Sequence, residues 1–205
     1  MELVNKLESI HVLSAEARAA LEEIITVKRF PRNAMIQQVG SSCRTVYFVK
    51  EGAARIFYYK DGIDITEHFA FTHEVIVRAE SLFTGKPTMK GIQAIEDCTI
   101  CGIDSLSLFR LYDQFHDLER LFRIIFEQEY VNAIRRIESL QFKSAKERYL
   151  DLLKTTDLVQ KIPLKYIASY LGITQVSLVG LERKSADYLS NVKYFAVGLI
   201  HFCMK

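Results

Sequence analysis

LKYIASYLGITQVSLVGLERK, residues 164–184, is the stretch from which the rest of the chain can be read. Counted from Leu164, the residues Ile167, Ala168, Leu171, Gly172, Ile173, Leu178 and Leu181 occupy the apolar, small and turn positions of a helix-turn-helix unit. Ala168 is small because a second helix crosses close above it, and Gly172 supplies the left-handed backbone of a tight turn. Ile167, Leu171, Ile173, Leu178 and Leu181 are the expected core between the two helices. Thr174 is placed to cap the second helix, whose outward residues would face the major groove of duplex DNA. The competing reading is an αα-corner that never meets DNA.

Upstream, residues 103–162 contain neither Gly nor Pro, so this region is expected to be long helices. Within it Leu118, Phe122, Phe126, Tyr130, Ala133, Ile137 and Leu140 recur at intervals of three or four, which is one face of a continuous helix. That stripe predicts a helix that covers part of the preceding domain and pairs with a second copy through what is left over. The expected dimer interface is Leu118, Phe122, Phe126, Tyr130, Ala133 and Ile137.

Before residue 102 the pattern changes to short runs rich in β-branched and aromatic residues punctuated by Gly: TVYFV at 45–49, ARIFYY at 54–59 and IDITEHFAF at 63–71. KDG at 60–62 supplies the Asp-Gly pair of a tight hairpin. LSAEARAALEEII carries Ser14 as an N-cap and predicts one short helix leading into the sheet. The fold class is therefore α+β: an N-terminal antiparallel β-roll of the double-stranded β-helix or jelly-roll kind, a long dimerisation helix, and a C-terminal helix-turn-helix domain, winged-helix-like. The expected boundaries are 1–105, 106–142 and 143–205.

Composition agrees with a folded chain. Of 205 residues, 49% are hydrophobic and 25% charged, which excludes disordered and fibrous classes, and only 3 Pro and 9 Gly argue against a flexible linker. The net charge of +2 is uneven: residues 1–140 carry 17 Lys/Arg against 20 Asp/Glu, and residues 141–205 carry 10 against 5. A basic C-terminal third on an acidic body points the tail end toward a polyanion. MELVNKLESIHVL has no secretory pattern, and the apolar run Tyr194–Met204 is half a membrane span, so a cytoplasmic chain with no membrane partner is expected.

With these elements in order, the chain resembles the Crp/Fnr family of bacterial transcription regulators over roughly residues 4–184. The carriers are VYFVKEGAARIFYYKDGIDITEHFAF (46–71), SLFTGKPT with IQAIED (81–88, 92–97), and SAKERYLDLLK running into IPLKYIASYLGIT (144–154, 162–174). The resemblance implies a cyclic-nucleotide-binding-like roll and a homodimer that reads a two-fold symmetric operator in double-stranded DNA. It also implies a small-molecule effector or redox signal in the roll, and RNA polymerase as a further partner.

Two departures limit what the resemblance carries over. Where cyclic-AMP-binding members grip ribose and phosphate with a Gly-Glu pair and an Arg, this chain aligns Arg78, Ala79 and Thr88, with Ser81 between them. A neutral Thr88 does not replace a guanidinium fork, so the effector is not expected to be cyclic AMP. Arg78 and Lys86 are read as solvated surface charges that would suit another anion. In the recognition helix Gly180 stands where the family has an Arg, which removes a bidentate contact to guanine. The DNA-facing set is then Lys165, Thr174, Gln175, Ser177, Arg183 and Lys184.

SADYLSNVKYFAVGLIHFCMK, 185–205, does not resemble the family. Cys98 and Cys101 in CTIC fall on opposite faces of a strand and are read as core, and His11, His68, His73, His116 and His201 show no metal spacing, so no metal or cofactor is expected. No nucleophile elbow, phosphate loop or carboxylate pair supports catalysis, and a non-enzyme is expected. The alternative to a DNA-binding regulator is a dimeric sensor or scaffold with a degenerate helix-turn-helix.

Overall fold

The computed structural model describes residues 2–155 and 162–181. The chain divides into two compact units, Met1–Gln141 and Phe142–Lys205. In the first, helices α1 (Glu2–Glu8) and α2 (Ala15–Ile24) precede eight strands: β1 (Ile25–Phe30), β2 (Met35–Gln37), β3 (Thr45–Glu51), β4 (Ala53–Lys60), β5 (Ile63–Phe71), β6 (Val75–Ile76), β7 (Lys90–Ala94) and β8 (Cys98–Asp104). α3 (Ala79–Thr84) lies between β6 and β7, and α4 (Ser105–Tyr112) and α5 (His116–Phe142) follow β8. The strands form two antiparallel sheets, β1-β8-β3-β6 and β2-β7-β4-β5.

Local rules account for much of this. The Ser14 hydroxyl accepts from the Ala17 N–H and caps α2, as its position predicts. Asp61 and Gly62 both take positive φ, 53° and 75°, which is the backbone of the tight turn joining β4 to β5. Strand alternation then divides β8 between two cores. Cys98 and Ile100 sit in the cluster between the sheets with Val49, Ala54, Ile56 and Ile92, whereas Cys101 and Ile103 face the helices. All three described cysteines are buried and free, and burial raises the Cys98 thiol to about 11, as befits inert core residues.

Three expectations need correction. A further helix, α1, precedes the capped one, held to α2 by Arg18, which pairs with Glu8 and lies 2.6 Å from Asn5 Oδ1. The region after 105 is not one helix: α4 ends at Tyr112 and α5 starts at His116, because the intervening turn lets Phe115 pack against the helical core. Finally, Leu118 and Phe122 are not a dimer surface. Both are fully buried in their own unit, with Leu121 and Ile125, and Phe122 meets Phe48 edge-on at 6.4 Å.

The outer face of the second sheet holds a buried guanidinium that the apolar look of ARIFYY conceals. Arg55 is 1% exposed. Its Nη1 and Nη2 donate to the two oxygens of Asp64 at 2.6 and 2.7 Å, Nη1 also reaches Thr66, Nε and Nη2 reach Gln93, and the group lies 4.4 Å from the Phe57 ring centroid. These partners come from β5, β7 and β4, so the network pins three strands together. Asp64→Ala strands a buried cation and should lower unfolding free energy by about 3 kcal/mol. Urea melts with an unchanged m-value would report it.

Candidate functional site

The second unit begins with α6 (Ala145–Thr155), whose start is a capping box. The Ser144 N–H donates to Glu147 Oε2 at 2.7 Å, and the Glu147 N–H donates back to the Ser144 hydroxyl at 3.3 Å. α7 (Leu164–Leu171) follows, opened by Pro163 and closed by Gly172 at φ 70°. The Ile173 N–H returns to the Ala168 carbonyl at 3.0 Å, and residues 175–181 are helical again (α8). The Ser177 N–H donates to Thr174 Oγ1 at 3.2 Å, so Thr174 caps α8 as its position predicts. Ile167, Ala168, Leu171 and Leu178 are buried with Tyr149, Leu152 and Tyr166, while Ile173 and Leu181 are half-buried.

Gln175, Val176 and Ser177 stand on the open side of α8, with Val176 84% exposed. Lys165 Nζ lies 4.9 Å from the centre of the Tyr166 ring. Among the described residues nothing lies within 4 Å of where a Cβ on Gly180 would be, so none of them requires a glycine there. Thr174 serves the cap and its hydroxyl also lies 2.9 Å from the Ser177 hydroxyl, so Gln175 and Lys165 stand exposed outside this pair, while Ser177 is exposed but already paired with Thr174. Arg183 and Lys184, and the segment 185–205, lie outside the described residues.

In the roll, Arg78, Ser81 and Thr88 of the aligned effector set are buried, while Ala79 is exposed. Arg78 is 6% exposed, and its Nη1 donates to Glu67 Oε1 at 2.8 Å. Glu67 also pairs with Lys90 of β7. This convergence depends on a β-bulge: Ile56 pairs with His68 and Phe57 with Thr66, so Glu67 is the extra residue of β5 and its side chain is re-aimed. Burial pushes the Glu67 carboxyl up, but the Lys90 hydrogen bond and the charges of Arg78 and Lys90 outweigh it and hold it below its ordinary value. Ser81 is buried, accepts from the Cys43 N–H at 2.8 Å and donates to the Lys86 carbonyl at 2.5 Å. Thr88 is buried as well, and its carbonyl accepts from the Gly40 N–H at 2.8 Å. Ser81 and Thr88 thus serve the fold's own bonds, Arg78 gives Nη1 to Glu67 but keeps a buried Nε without a partner among the described residues, and Lys86 alone of the two basic residues is exposed.

Glu67, Lys90 and the β5 bulge carry no sequence signal, because a bulge shows only in the pairing register. His68, next to them, is driven by burial to about 4, with Glu67 opposing and Arg136 and Arg78 reinforcing the drop. It is neutral at pH 7 and half-buried. Among the described residues no group of His, Cys, Asp and Glu is arranged to hold a metal ion, and no helix is long and apolar enough to cross a membrane.

The exposed continuation of α5 is the other open feature. Tyr130 is 69% exposed, Ile137 50% and Leu140 45%, and Ala133 is exposed too. Phe126 is half-buried and touches Phe83 of α3, ring centres 5.2 Å apart. Arg123, Phe126, Glu127, Tyr130 and Val131 line an open groove of about 590 Å³ along this face.

Residues 27–115 match the cyclic nucleotide-binding domain family. No curated protein matches the chain by sequence. Among solved structures, FixK2 from Bradyrhizobium japonicum superposes with a TM-score of 0.70 at 20% identity, over 80% of this chain and 86% of that one. The c-di-GMP responsive global regulator CLP of Xanthomonas campestris gives 0.65 at 15%, over 86% and 94%. A protein from Eubacterium rectale assigned to the Crp/Fnr family of transcriptional regulators gives 0.66 at 17%, over 88% and 87%.

One pH dependence follows from His68. An unfolded histidine takes a proton near pH 6.5, whereas the folded one waits until about 4, so between these values the unfolded state binds more protons and stability falls as pH is lowered. His68→Gln should flatten that slope. Urea melts of both proteins from pH 7 to 4 make the comparison.

Proposed function

We propose, on a chain with a cyclic nucleotide-binding domain and the fold of the Crp/Fnr regulators, that this protein is a dimeric DNA-binding transcription regulator whose roll does not answer to cyclic AMP. The observation that carries the reading is the helix-turn-helix itself: a left-handed Gly172, a Thr174 cap and a buried Ala168 at the crossing, with Gln175 and Ser177 exposed on α8. The structural neighbours named as regulators favour it over an enzyme. RNA polymerase is the partner through which such a protein would act.

The dimer rests on the second half of α5. A row of exposed Tyr130, Ile134, Ile137 and Leu140 is costly in water and suits a parallel copy of itself, with Ala133 small enough for close approach. Leu118 and Phe122 have no part in it. For the effector, Arg78 already has a carboxylate partner in Glu67, and Thr88 offers no guanidinium, so a cyclic phosphate meets no free bidentate donor. CLP, which shares the fold, responds to c-di-GMP, so a roll of this kind can serve a ligand other than cyclic AMP.

Base reading is expected to be weak. A lost bidentate Arg forfeits about 1–3 kcal/mol of discrimination per half-site, while Lys165 and the basic C-terminal third keep their attraction for phosphate. The rival reading, a dimeric sensor or scaffold with a degenerate helix-turn-helix, predicts weak affinity for duplex DNA or none.

Three measurements test this. Affinity for generic duplex should fall steeply with salt, as several phosphate contacts require, and a flat response would favour the scaffold. Tyr130→Glu with Ile137→Glu should convert dimer to monomer by light scattering at tens of micromolar, and a wild-type monomer there would end the dimer reading. Gly180→Arg, whose Cβ meets none of the described residues, should sharpen the motif selected from a random duplex pool; a sharp palindromic motif from the unmodified protein would mean that another residue reads bases.

A further inference from the structure

The first described helix of the second unit, α6, carries one cation whose bonds go to the main chain. Nε and Nη2 of Arg148 both donate to the Leu171 carbonyl, at 3.1 and 2.7 Å, and Nη1 donates to the Lys143 carbonyl. Leu171 is the last residue of α7, immediately before the Gly172 turn, and Lys143 is the first residue after α5. Both carbonyls lie where a helix leaves its last acceptors without intrahelical partners and where its dipole is negative, so a cation is favoured at each. Only a guanidinium has the planar fork to serve two such places at once; an ammonium on a similar stem reaches one.

The carboxylates around Arg148 are engaged elsewhere. Glu147 closes the capping box with Ser144, and Asp151 takes Lys143 and Lys154. Among the described residues Arg148 forms no ion pair, and it is half-buried, so its guanidinium is committed to backbone and is not a free surface charge for phosphate.

We propose that Arg148 is a positioning residue that fastens the turn of the helix-turn-helix to the connector after α5, so that turn and connector move as one body and α8 keeps the tilt that duplex DNA requires. The mechanical half of this stands on the bonds above. The DNA half rests on the reading under Proposed function.

The full-length protein is compared with Arg148→Ala and Arg148→Lys by two measurements. In amide hydrogen exchange, loss of the clasp should speed Ser144 together with Gly172 and Ile173 in the alanine variant, with a smaller rise in the lysine variant. Acceleration on one side only, or on neither, overturns the proposal. In duplex binding, Arg148→Ala should weaken affinity about tenfold, the scale of one or two hydrogen bonds to a charged group, with an unchanged salt slope. A slope smaller by about one would make Arg148 a phosphate contact instead and also overturn it. If Arg148→Ala does not fold, Arg148→Lys, which keeps the stem and the charge, decides through exchange. If the wild-type protein binds no duplex, the DNA reading fails while the exchange measurement still decides the clasp.

Discussion

The helix that leaves the roll is longer than the surface the roll can cover, and much of the molecule follows from that mismatch. α5 has 27 residues, about 40 Å at 1.5 Å per residue. Its first turns bury Leu118, Leu121, Phe122 and Ile125 among α1, α2, α4 and one face of the first sheet. This attachment is also tied at its start, where the Ser14 N–H donates to Asp117 Oδ2 at 2.6 Å. The later turns keep the same apolar period with no sheet beneath them to bury it, and Tyr130, Ile137 and Leu140 are left in solvent. One sequence stripe therefore does two jobs, and the point where the roll ends decides which residue does which.

The roll shows a second constraint, the handling of charge away from water. Arg55 and Arg78 are both nearly inaccessible, and each is matched to a carboxylate on β5, Asp64 and Glu67. Both carboxylates lie on the β5 strand of one hairpin, and Glu67 is the residue that the bulge in its pairing with β4 adds. An unpaired buried guanidinium would cost several kcal/mol, so the carboxylates are structural requirements before they are anything else. At the aligned effector segment this means that a negative charge is already supplied from within the fold.

What was legible in the sequence was whatever local chemistry decides. Ser14, Thr174, the Asp61-Gly62 turn and Gly172 each act within a few residues of themselves, and each sits as its position predicts. The strands at 45–49, 54–59 and 63–71 and the opposed faces of Cys98 and Cys101 followed from periodicity. The misses share a different cause. The break at 113–115 has no Gly or Pro to announce it, because it answers to the packing of Phe115; the burial of Leu118 and Phe122 depends on a sheet distant in the chain; and Arg78 looked like a surface cation because its partner Glu67 is re-aimed by a bulge. Arg148 is silent in the sequence for the same reason, since its partners are carbonyls that every residue possesses.

The helix-turn-helix separates two requirements that are easily conflated. Forming the unit needs a small residue at the crossing, a left-handed turn, a cap and a few buried apolar side chains, and Ala168, Gly172, Thr174, Leu171 and Leu178 meet those needs. Reading bases needs donors and acceptors on the outer face of α8, and there Gly180 contributes nothing while Val176 presents a bare apolar surface. Glycine inside a helix costs about 0.5–1 kcal/mol relative to alanine, and none of the described residues packs against Gly180 to offset that cost. The described helix-turn-helix therefore forms independently of what the outer face of α8 can read, and under the proposed function it is the side chains on that face that set the limit on specificity.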